Sequence, residues 1–179
     1  MALINTTTTG VLGSTFFGDG TGPLTVQQNG VTLGTYGNIP AFSAYKSASQ
    51  TGVPNATFTK VTFNTEEFDT NNNYDTSTSR FTPTVAGYYQ FNWNLDTGGV
   101  TTSITISDLY KNGASFKRSG GVSIAGISEQ YVNGSALVYA NGTTDYFEIY
   151  VYIGSGSTAT VYGNSIVHSF FQSILVKAA

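Results

Sequence analysis

Few side chains in this 179-residue chain could perform acid–base or nucleophilic chemistry. There is one histidine, His168, and there is no cysteine. A serine hydrolase would need that histidine beside a strained nucleophile, and no Gly-x-Ser-x-Gly turn occurs in the sequence. His168 alternates with Ile166 and Phe170 in an apolar segment. That pattern predicts a packed or interface histidine rather than a catalytic one.

Carboxylates offer a second possible chemistry. Glu66 and Glu67 are adjacent and Asp69 follows, and a pair of carboxylates can cleave a glycosidic bond. Their position in a loop predicts solvated side chains instead. We therefore expect no catalytic residue and no enzymatic activity.

The segment from Asp69 to Asp75 partly matches a calcium-binding loop. Oxygen-bearing side chains occupy its first, third, fifth and seventh positions. Tyr74 stands where such a loop needs glycine, and Arg80 stands at the twelfth position, where it would repel a cation. We expect no bound metal and no cofactor.

Composition excludes further classes of function. Only 9% of residues are charged and the formal net charge is -3, so the chain lacks the basic surface that nucleic acid requires. No run of ~20 apolar residues predicts membrane insertion, and the first residues lack the features of a secretory signal. Tyr 12, Phe 12 and Gly 21 favour strands joined by turns.

The elements that must position these side chains are strands. Tyr89, Phe91, Trp93 and Leu95 alternate with polar residues, which predicts a half-buried strand whose rings line a core. No helix of three turns is evident, so we expect a sandwich or barrel. Further strands are predicted at 41–46, 60–63, 103–110, 130–139, 146–153 and 165–177. The last segment is apolar on both faces, which predicts a central strand covered on both sides.

Asn-Gly pairs mark the expected turns. Asn112-Gly113 between two apolar runs predicts a β-hairpin. Asn133-Gly134 and Asn141-Gly142 also match the glycosylation pattern, and we interpret both as hairpin turns.

The order of these features resembles the globular head of the C1q and tumour-necrosis-factor superfamily. The similar segments are Pro40-Ala-Phe-Ser-Ala44, the aromatic positions Phe63, Tyr74 and Phe81, Gly87-Tyr-Tyr-Gln-Phe91, Leu109-Tyr-Lys-Asn-Gly113 and Ser169-Phe-Phe-Gln-Ser-Ile-Leu175. The resemblance covers about residues 40–176. It implies an all-β, ten-stranded antiparallel jelly-roll sandwich that forms homotrimers, with a head at 40–179.

A second row of large side chains predicts where the trimer forms. Tyr146, Tyr150 and Tyr152 lie opposite the apolar row of the same strand. Tyrosine is enriched at interfaces, so we expect this row, together with His168, at the subunit interface. A surface tyrosine ladder packing on a neighbouring strand is the alternative.

Residues 1–39 differ from the rest, since Asp19 is their one charged residue. A disordered tail is one interpretation, but such tails usually carry more charge. We favour an anchoring arm that becomes ordered on a partner. Its expected apolar anchors are Leu3, Ile4, Val11, Leu12, Phe16 and Phe17.

The uncharged arm and the absence of cysteine resemble bacteriophage virion surface proteins. This resemblance implies a protein assembled in the host cytoplasm and exposed on the particle. The favoured function is a trimer that decorates and stabilises a capsid, held to other virion proteins by its arm. The alternative is a fibre tip that binds a host-surface polysaccharide or protein receptor.

Overall fold

The computed structural model describes residues 24–28, 31–36, 39–102, 104–119, 121, 127–164 and 168–179. The chain forms two compact units, 1–37 and 38–179. In the first unit, β1 (Leu24–Gln28) pairs antiparallel with β2 (Val31–Tyr36). The six expected apolar anchors of the arm lie outside the described residues.

The described part of the second unit contains only strands and irregular segments. Its strands are β3 (Ala41–Tyr45), β4 (Gln50–Val53), β5 (Thr59–Lys60), β6 (Thr65–Asp69), β7 (Tyr74–Asp75), β8 (Arg80–Phe81), β9 (Gly87–Thr102), β10 (Ile104–Lys111), β11 (Ala114–Arg118), β12 (Ile127–Ala140), β13 (Phe147–Gly154), β14 (Ala159–Val161) and β15 (Phe170–Ala178). The described residues of this unit form thirteen strands, of which β5, β7 and β8 have two residues each, so the expected count of ten is not confirmed. The predicted strand at 60–63 is wrong beyond Lys60, where β5 ends.

These strands form two antiparallel sheets. The six-stranded sheet has the order β11-β10-β13-β8-β7, with β5 also paired to β13. The seven-stranded sheet has the order β4-β14-β9-β15-β3-β6, with β12 also paired to β9. No helix long and apolar enough to span a membrane occurs among the described residues.

An aromatic core fills the space between the sheets. The rings of Tyr89, Phe91 and Trp93 are buried, as the alternation in the sequence predicted. Phe91 stacks on Phe171 with ring centroids 6.0 Å apart. The Trp93 indole Nε1 donates a hydrogen bond of 2.8 Å to Ser107 Oγ on the opposite sheet. Rings of this size account for much of the core's apolar burial.

The hairpin prediction at Asn112-Gly113 is confirmed. These residues join β10 to β11 with φ values of 55° and 80°, which suit a two-residue turn. The prediction at Asn133-Gly134 is wrong, because both residues lie inside β12. Gly134 pairs with Trp93, and a Cβ there would lie 2.0 Å from the indole ring, so the position must be glycine for packing rather than turning.

Asn141-Gly142 forms a turn, but not a hairpin, because it joins strands of different sheets. The Asn141 side-chain oxygen accepts hydrogen bonds from the backbone N–H groups of Thr143, Thr144 and Asp145. Gly142 has φ 70°, and a Cβ there would lie 2.4 Å from the Ala86 nitrogen. The turn therefore carries the chain from one sheet to the other.

The last strand is central but not covered on both sides. β15 lies between β9 and β3, so its predicted position in the sheet is confirmed. Ile174 and Val176 are about half exposed in the single chain. The prediction that both faces of this strand are covered is therefore wrong for the single chain. The strand begins at Phe170, which places His168 just before it.

Lys46 is a buried cation and gives the fold a specific pH dependence. It is 1% exposed, and its Nζ donates to the Thr62 carbonyl at 2.6 Å and to Thr62 Oγ1 at 3.1 Å. Burial lowers its pKa from 10.5 to about 8. The unfolded chain therefore binds more protons than the folded chain between these values, and stability rises with pH.

We expect the free energy of unfolding to rise by about 1 kcal/mol between pH 7 and pH 9 because of this residue. Urea unfolding of the wild type and of Lys46→Met at both pH values measures the effect. The variant should lose the rise. An equal rise in both proteins would assign the pH dependence to other groups.

Candidate functional site

The acidic segment that partly matched a calcium loop is used for backbone turns. The two Asp69 carboxylate oxygens accept hydrogen bonds from the N–H groups of Asn71 and Tyr74. Asp75 accepts hydrogen bonds from Ser77 and Thr78, and the Ser77 hydroxyl is the main group that lowers the Asp75 pKa to about 2. Within the described ranges, no three acidic or histidine side chains form a group that could hold a metal ion.

The neighbouring glutamates do not form a catalytic pair with a shared cleft. Glu66 and Glu67 are exposed on β6, an edge strand of the seven-stranded sheet. Glu67 Oε2 accepts a hydrogen bond of 2.6 Å from Ser43 Oγ, which lies on β3. The expectation of a loop is wrong, because both glutamates lie on a strand; the register shift between Ser43 and Ala44 leaves Glu67 without a register partner on β3.

His168 pairs with a carboxylate of the seven-stranded sheet. Its Nδ1 lies 3.0 Å from Asp96 Oδ2 on β9. Its ring also meets the Tyr131 ring edge to face, with centroids 6.2 Å apart. The histidine is therefore partly buried and packed, although it precedes β15 instead of lying within that strand as the alternation predicted.

The predicted tyrosine row lies on the outer face of the six-stranded sheet. Tyr150 stacks on Tyr110 with ring centroids 3.8 Å apart, and Tyr152 lies 5.4 Å from Phe58. The Arg80 guanidinium lies 3.8 Å above the Tyr146 ring. Each of the three tyrosines therefore has a partner within the chain. This arrangement agrees with the alternative interpretation, a surface tyrosine ladder that packs on neighbouring segments.

The four predicted interface residues do not form one surface. Tyr150 and Tyr152 belong to β13 of the six-stranded sheet and Tyr146 immediately precedes that strand, whereas His168 contacts β9 and β12 of the seven-stranded sheet. The structure therefore does not bring the histidine to the tyrosine row.

Ion pairs flank the tyrosine row. The buried Glu148 carboxylate lies 3.0 Å from Arg80 and 3.3 Å from Lys60. On β10, Asp108 is fully buried and accepts two hydrogen bonds from Arg118, at 2.9 and 3.0 Å. These contacts satisfy the charges of the face within one chain.

The seven-stranded sheet carries a different outer surface, which the sequence analysis did not identify. Its large apolar side chains are between 43% and 60% exposed, and they are Phe68, Tyr88, Tyr131, Leu137, Tyr139, Ile174 and Val176. We call this set the exposed apolar face. Register places Tyr139 beside Tyr88, and places Leu137 and Ile174 on either side of Gln90. Residues paired in this way share one side of a sheet.

Uncharged amides fill the centre of the exposed apolar face. Gln90, Asn92 and Asn94 alternate with the buried rings of β9 and so point to the same side. Gln90 Nε2 donates a hydrogen bond of 2.7 Å to Ser135 Oγ on β12. A contiguous patch that is apolar, aromatic and poor in charge is typical of a protein–protein interface.

A signal in β12 could have identified this face. Its inward-facing positions hold small residues, namely Val132, Gly134, Ala136 and Val138. Its large side chains, Tyr131, Leu137 and Tyr139, alternate onto the exposed side. Large apolar side chains that stay exposed together on one side of a sheet are typical of a surface that binds a partner.

Known proteins share this sandwich. A C1q-domain family model matches residues 41–176. The globular domain of zebrafish complement 1qA protein is 21% identical, with a TM-score of 0.55 over 79% of this chain and 99% of that one. Eiger TNF from S. frugiperda is 10% identical, with a TM-score of 0.56 over 80% and 96%. Murine APRIL is 8% identical, with a TM-score of 0.57 over 77% and 99%. No curated protein sequence gives a significant match.

The structural likenesses establish the fold, and the family model covers most of the chain. The resemblance seen in the sequence is therefore confirmed for the head. The chain belongs to the C1q-domain family and has its two-sheet antiparallel jelly-roll fold.

Proposed function

We propose that the protein is a non-enzymatic homotrimer whose subunits meet through the exposed apolar face of the seven-stranded sheet. The observation that carries the proposal is the concentration of exposed large apolar side chains on one side of one sheet. Such a patch is costly in water, and a monomer rarely keeps one. C1q and TNF domains commonly form trimers, so copies of the chain itself are the expected partners.

Charge supports the same assignment. On β9 the exposed apolar face holds the amides Gln90, Asn92 and Asn94 rather than charged groups, and the Glu67 carboxylate lies toward the β6 edge, where it accepts a hydrogen bond from Ser43 Oγ. The amides can exchange water for hydrogen bonds across subunits. The opposite sheet offers Arg80 and Arg118, which are already paired with carboxylates of their own chain.

The tyrosine row remains a second proposed interface. Tyr150 and Tyr152 are partly exposed, and a further subunit could cover them. The row is less favoured because Tyr150 and Tyr152 are already partly buried in the single chain, whereas Tyr88 and Tyr139 of the exposed apolar face stay 45% and 43% exposed although they pack on each other. Variants on each sheet separate the two proposals, as the Discussion describes.

We propose a virion as the setting of this trimer, with residues 1–39 as the arm that attaches it to other virion proteins. The support is compositional, since this segment has apolar residues and a single charge at Asp19. Decoration of a capsid is the favoured role, because a trimer matches a local threefold axis. A fibre tip that binds a host-surface polysaccharide or protein is the alternative.

Deletion of residues 1–37 tests the arm. We expect the remaining unit, 38–179, to stay trimeric but to lose attachment to virus particles in co-sedimentation. Full-length protein is the control. Attachment that survives the deletion would contradict anchoring by the arm. Binding of the isolated head to host cells would favour the fibre-tip role.

A further inference from the structure

Two edge strands of the head carry opposite charges. β6 ends the seven-stranded sheet and β11 ends the six-stranded sheet, and each pairs with a single neighbour among the described strands. β6 carries the exposed carboxylates Glu66 and Glu67, and β11 carries the exposed cations Lys117 and Arg118. An edge strand presents unpaired backbone N–H and C=O groups that can pair with a further strand. The two edges therefore offer both hydrogen bonds and complementary charge.

The charges on these edges are only partly used within the chain. Glu66 and Lys117 form no ion pair with any of the described residues. Glu67 accepts one hydrogen bond, from a serine hydroxyl of β3. Arg118 binds the Asp108 carboxylate through Nε and Nη2, yet its side chain is still 54% exposed. Each edge therefore keeps charge that a partner can contact.

A large ring is exposed beside the charges of each strand. Phe68 on β6 is 51% exposed, and Phe116 on β11 is 48% exposed. Each strand also contains a bulge, since Glu67 has no register partner on β3 and Phe116 has none on β10. A bulge leaves the extra residue unpaired within its own sheet. The two edges therefore share one plan, a ring next to like charges, with opposite sign.

One antiparallel alignment of the two strands joins a ring to a ring and two cations to two carboxylates. Its opposed pairs are Phe116 with Phe68, Lys117 with Glu67, and Arg118 with Glu66. Cross-strand aromatic pairs and opposite charges stabilise a sheet, whereas like charges directly opposite destabilise it. Pairing β6 with β6, or β11 with β11, would bring like charges together. The charges therefore select the combination of unlike edges.

The two edges of one chain lie too far apart to meet each other. Phe42 of β3 stacks on Tyr74 of β7, which places β6 near the β7 end of the facing sheet. β11 lies at the opposite end of that sheet. A contact between the edges must therefore join two copies of the chain. Such a head-to-tail contact uses two different surfaces, so it can be repeated from copy to copy.

We propose that β11 of one head lies antiparallel beside β6 of a head in a neighbouring trimer, and that this contact links trimers to one another. The inference rests on the proposed function only in taking trimers as the units that meet. Two five-residue strands bury little surface, so the contact is weak, with a Kd of about 1 mM. Trimers at micromolar concentration therefore stay separate.

Sedimentation of the full-length protein over a range of concentrations measures the contact. The average mass should equal that of the trimer at micromolar concentration and rise at about 1 mM. Added salt should weaken the rise, because the opposed charges are exposed. Lys117→Glu and Glu67→Lys should each weaken association about tenfold, because like charges then face one another. Lys177→Glu reverses an exposed lysine on the central strand β15, and as the control it should change nothing.

A mixture of the two variants distinguishes a lost contact from a damaged fold. Lys117→Glu mixed with Glu67→Lys should associate about as strongly as the wild type, because every contact between unlike trimers then joins opposite charges. The chain has no cysteine, so introduced cysteines report the alignment. Phe116→Cys mixed with Phe68→Cys should form a disulfide between the two variants on oxidation, and neither variant should form one alone.

Three results would each overturn the proposal. The first is a mass that does not rise with concentration. The second is a mixture that associates no better than the separate charge variants. The third is a disulfide that forms as readily within either cysteine variant alone. A monomer mass at micromolar concentration would instead contradict the proposed trimer, and the rise at high concentration would still decide whether the two edges meet.

Discussion

Leu137→Asp should convert the proposed trimer into monomers at micromolar concentration. Leu137 is among the most exposed large apolar side chains, and it lies on the edge strand β12 beside Gln90 of β9, within the exposed apolar face. In the proposed assembly each subunit would bury one new carboxylate without a cation, and burial of an unpaired charge costs several kcal/mol. The change points away from the core, so the single chain should still fold. Light scattering coupled to gel filtration measures the mass.

Two variants on the six-stranded sheet serve as controls for Leu137→Asp. Phe116→Asp changes an equally exposed ring on β11 of the six-stranded sheet and should leave the mass unchanged. Tyr150→Asp tests the tyrosine row directly and should also leave a trimer. Monomers from Tyr150→Asp together with trimers from Leu137→Asp would contradict our interface and support the one suggested by the tyrosine pattern.

Gly134→Ala should destabilise the head more than any other single methyl group added to β12. The new Cβ would lie 2.0 Å from Trp93 Cζ2 and 2.3 Å from Cε2, far inside van der Waals contact. The indole cannot move aside easily, because it is buried and its Nε1 is hydrogen-bonded to Ser107 Oγ. Overpacking of this kind costs about 1–3 kcal/mol. Thermal unfolding at fixed protein concentration measures the loss.

A double-mutant cycle identifies the cause. In a Trp93→Phe background the ring is smaller, so Gly134→Ala should cost less than in the wild type. Ser135→Ala, which changes the exposed neighbour on β12, is the control and should have little effect. If Gly134→Ala is neutral, or equally harmful in both backgrounds, contact with Trp93 does not explain the glycine.

Local patterns in the sequence predicted the core strands well. Tyr89, Phe91 and Trp93 are buried because alternation along one strand decides which side chains share a face. The turn at Asn112-Gly113 was also predictable from adjacent residues, because a two-residue hairpin turn needs positive φ at both positions and Asn-Gly readily adopts it. These features depend on neighbours in sequence alone.

Features that depend on distant strands were not predictable in this way. Gly134 looked like a turn residue because its Trp93 partner lies on another strand. The row of Tyr146, Tyr150 and Tyr152 looked unpartnered because Tyr110 and Phe58 belong to other segments. Asp96 and His168 are far apart in sequence and meet only in the folded chain.

The exposed apolar face was also not predictable from local sequence patterns. Sequence alternation identifies two sides of a strand but not which sheet the strand joins. The final strand was apolar on both sides in the sequence, and its outer residues Ile174 and Val176 are about half exposed in the single chain, which favours a partner on that side. We interpret that partner as a second subunit.

Hydroxyl-radical footprinting of the wild-type protein tests this interpretation most directly, because it measures the solvent exposure of each side chain in the intact assembly. In a single chain Leu137 is 55% exposed and Phe116 is 48% exposed, so the two positions begin nearly equal. We predict strong protection of Leu137, Tyr139 and Ile174, with Phe116 fully reactive. Full reactivity of all four side chains, or protection confined to the six-stranded sheet, would contradict assembly through the exposed apolar face.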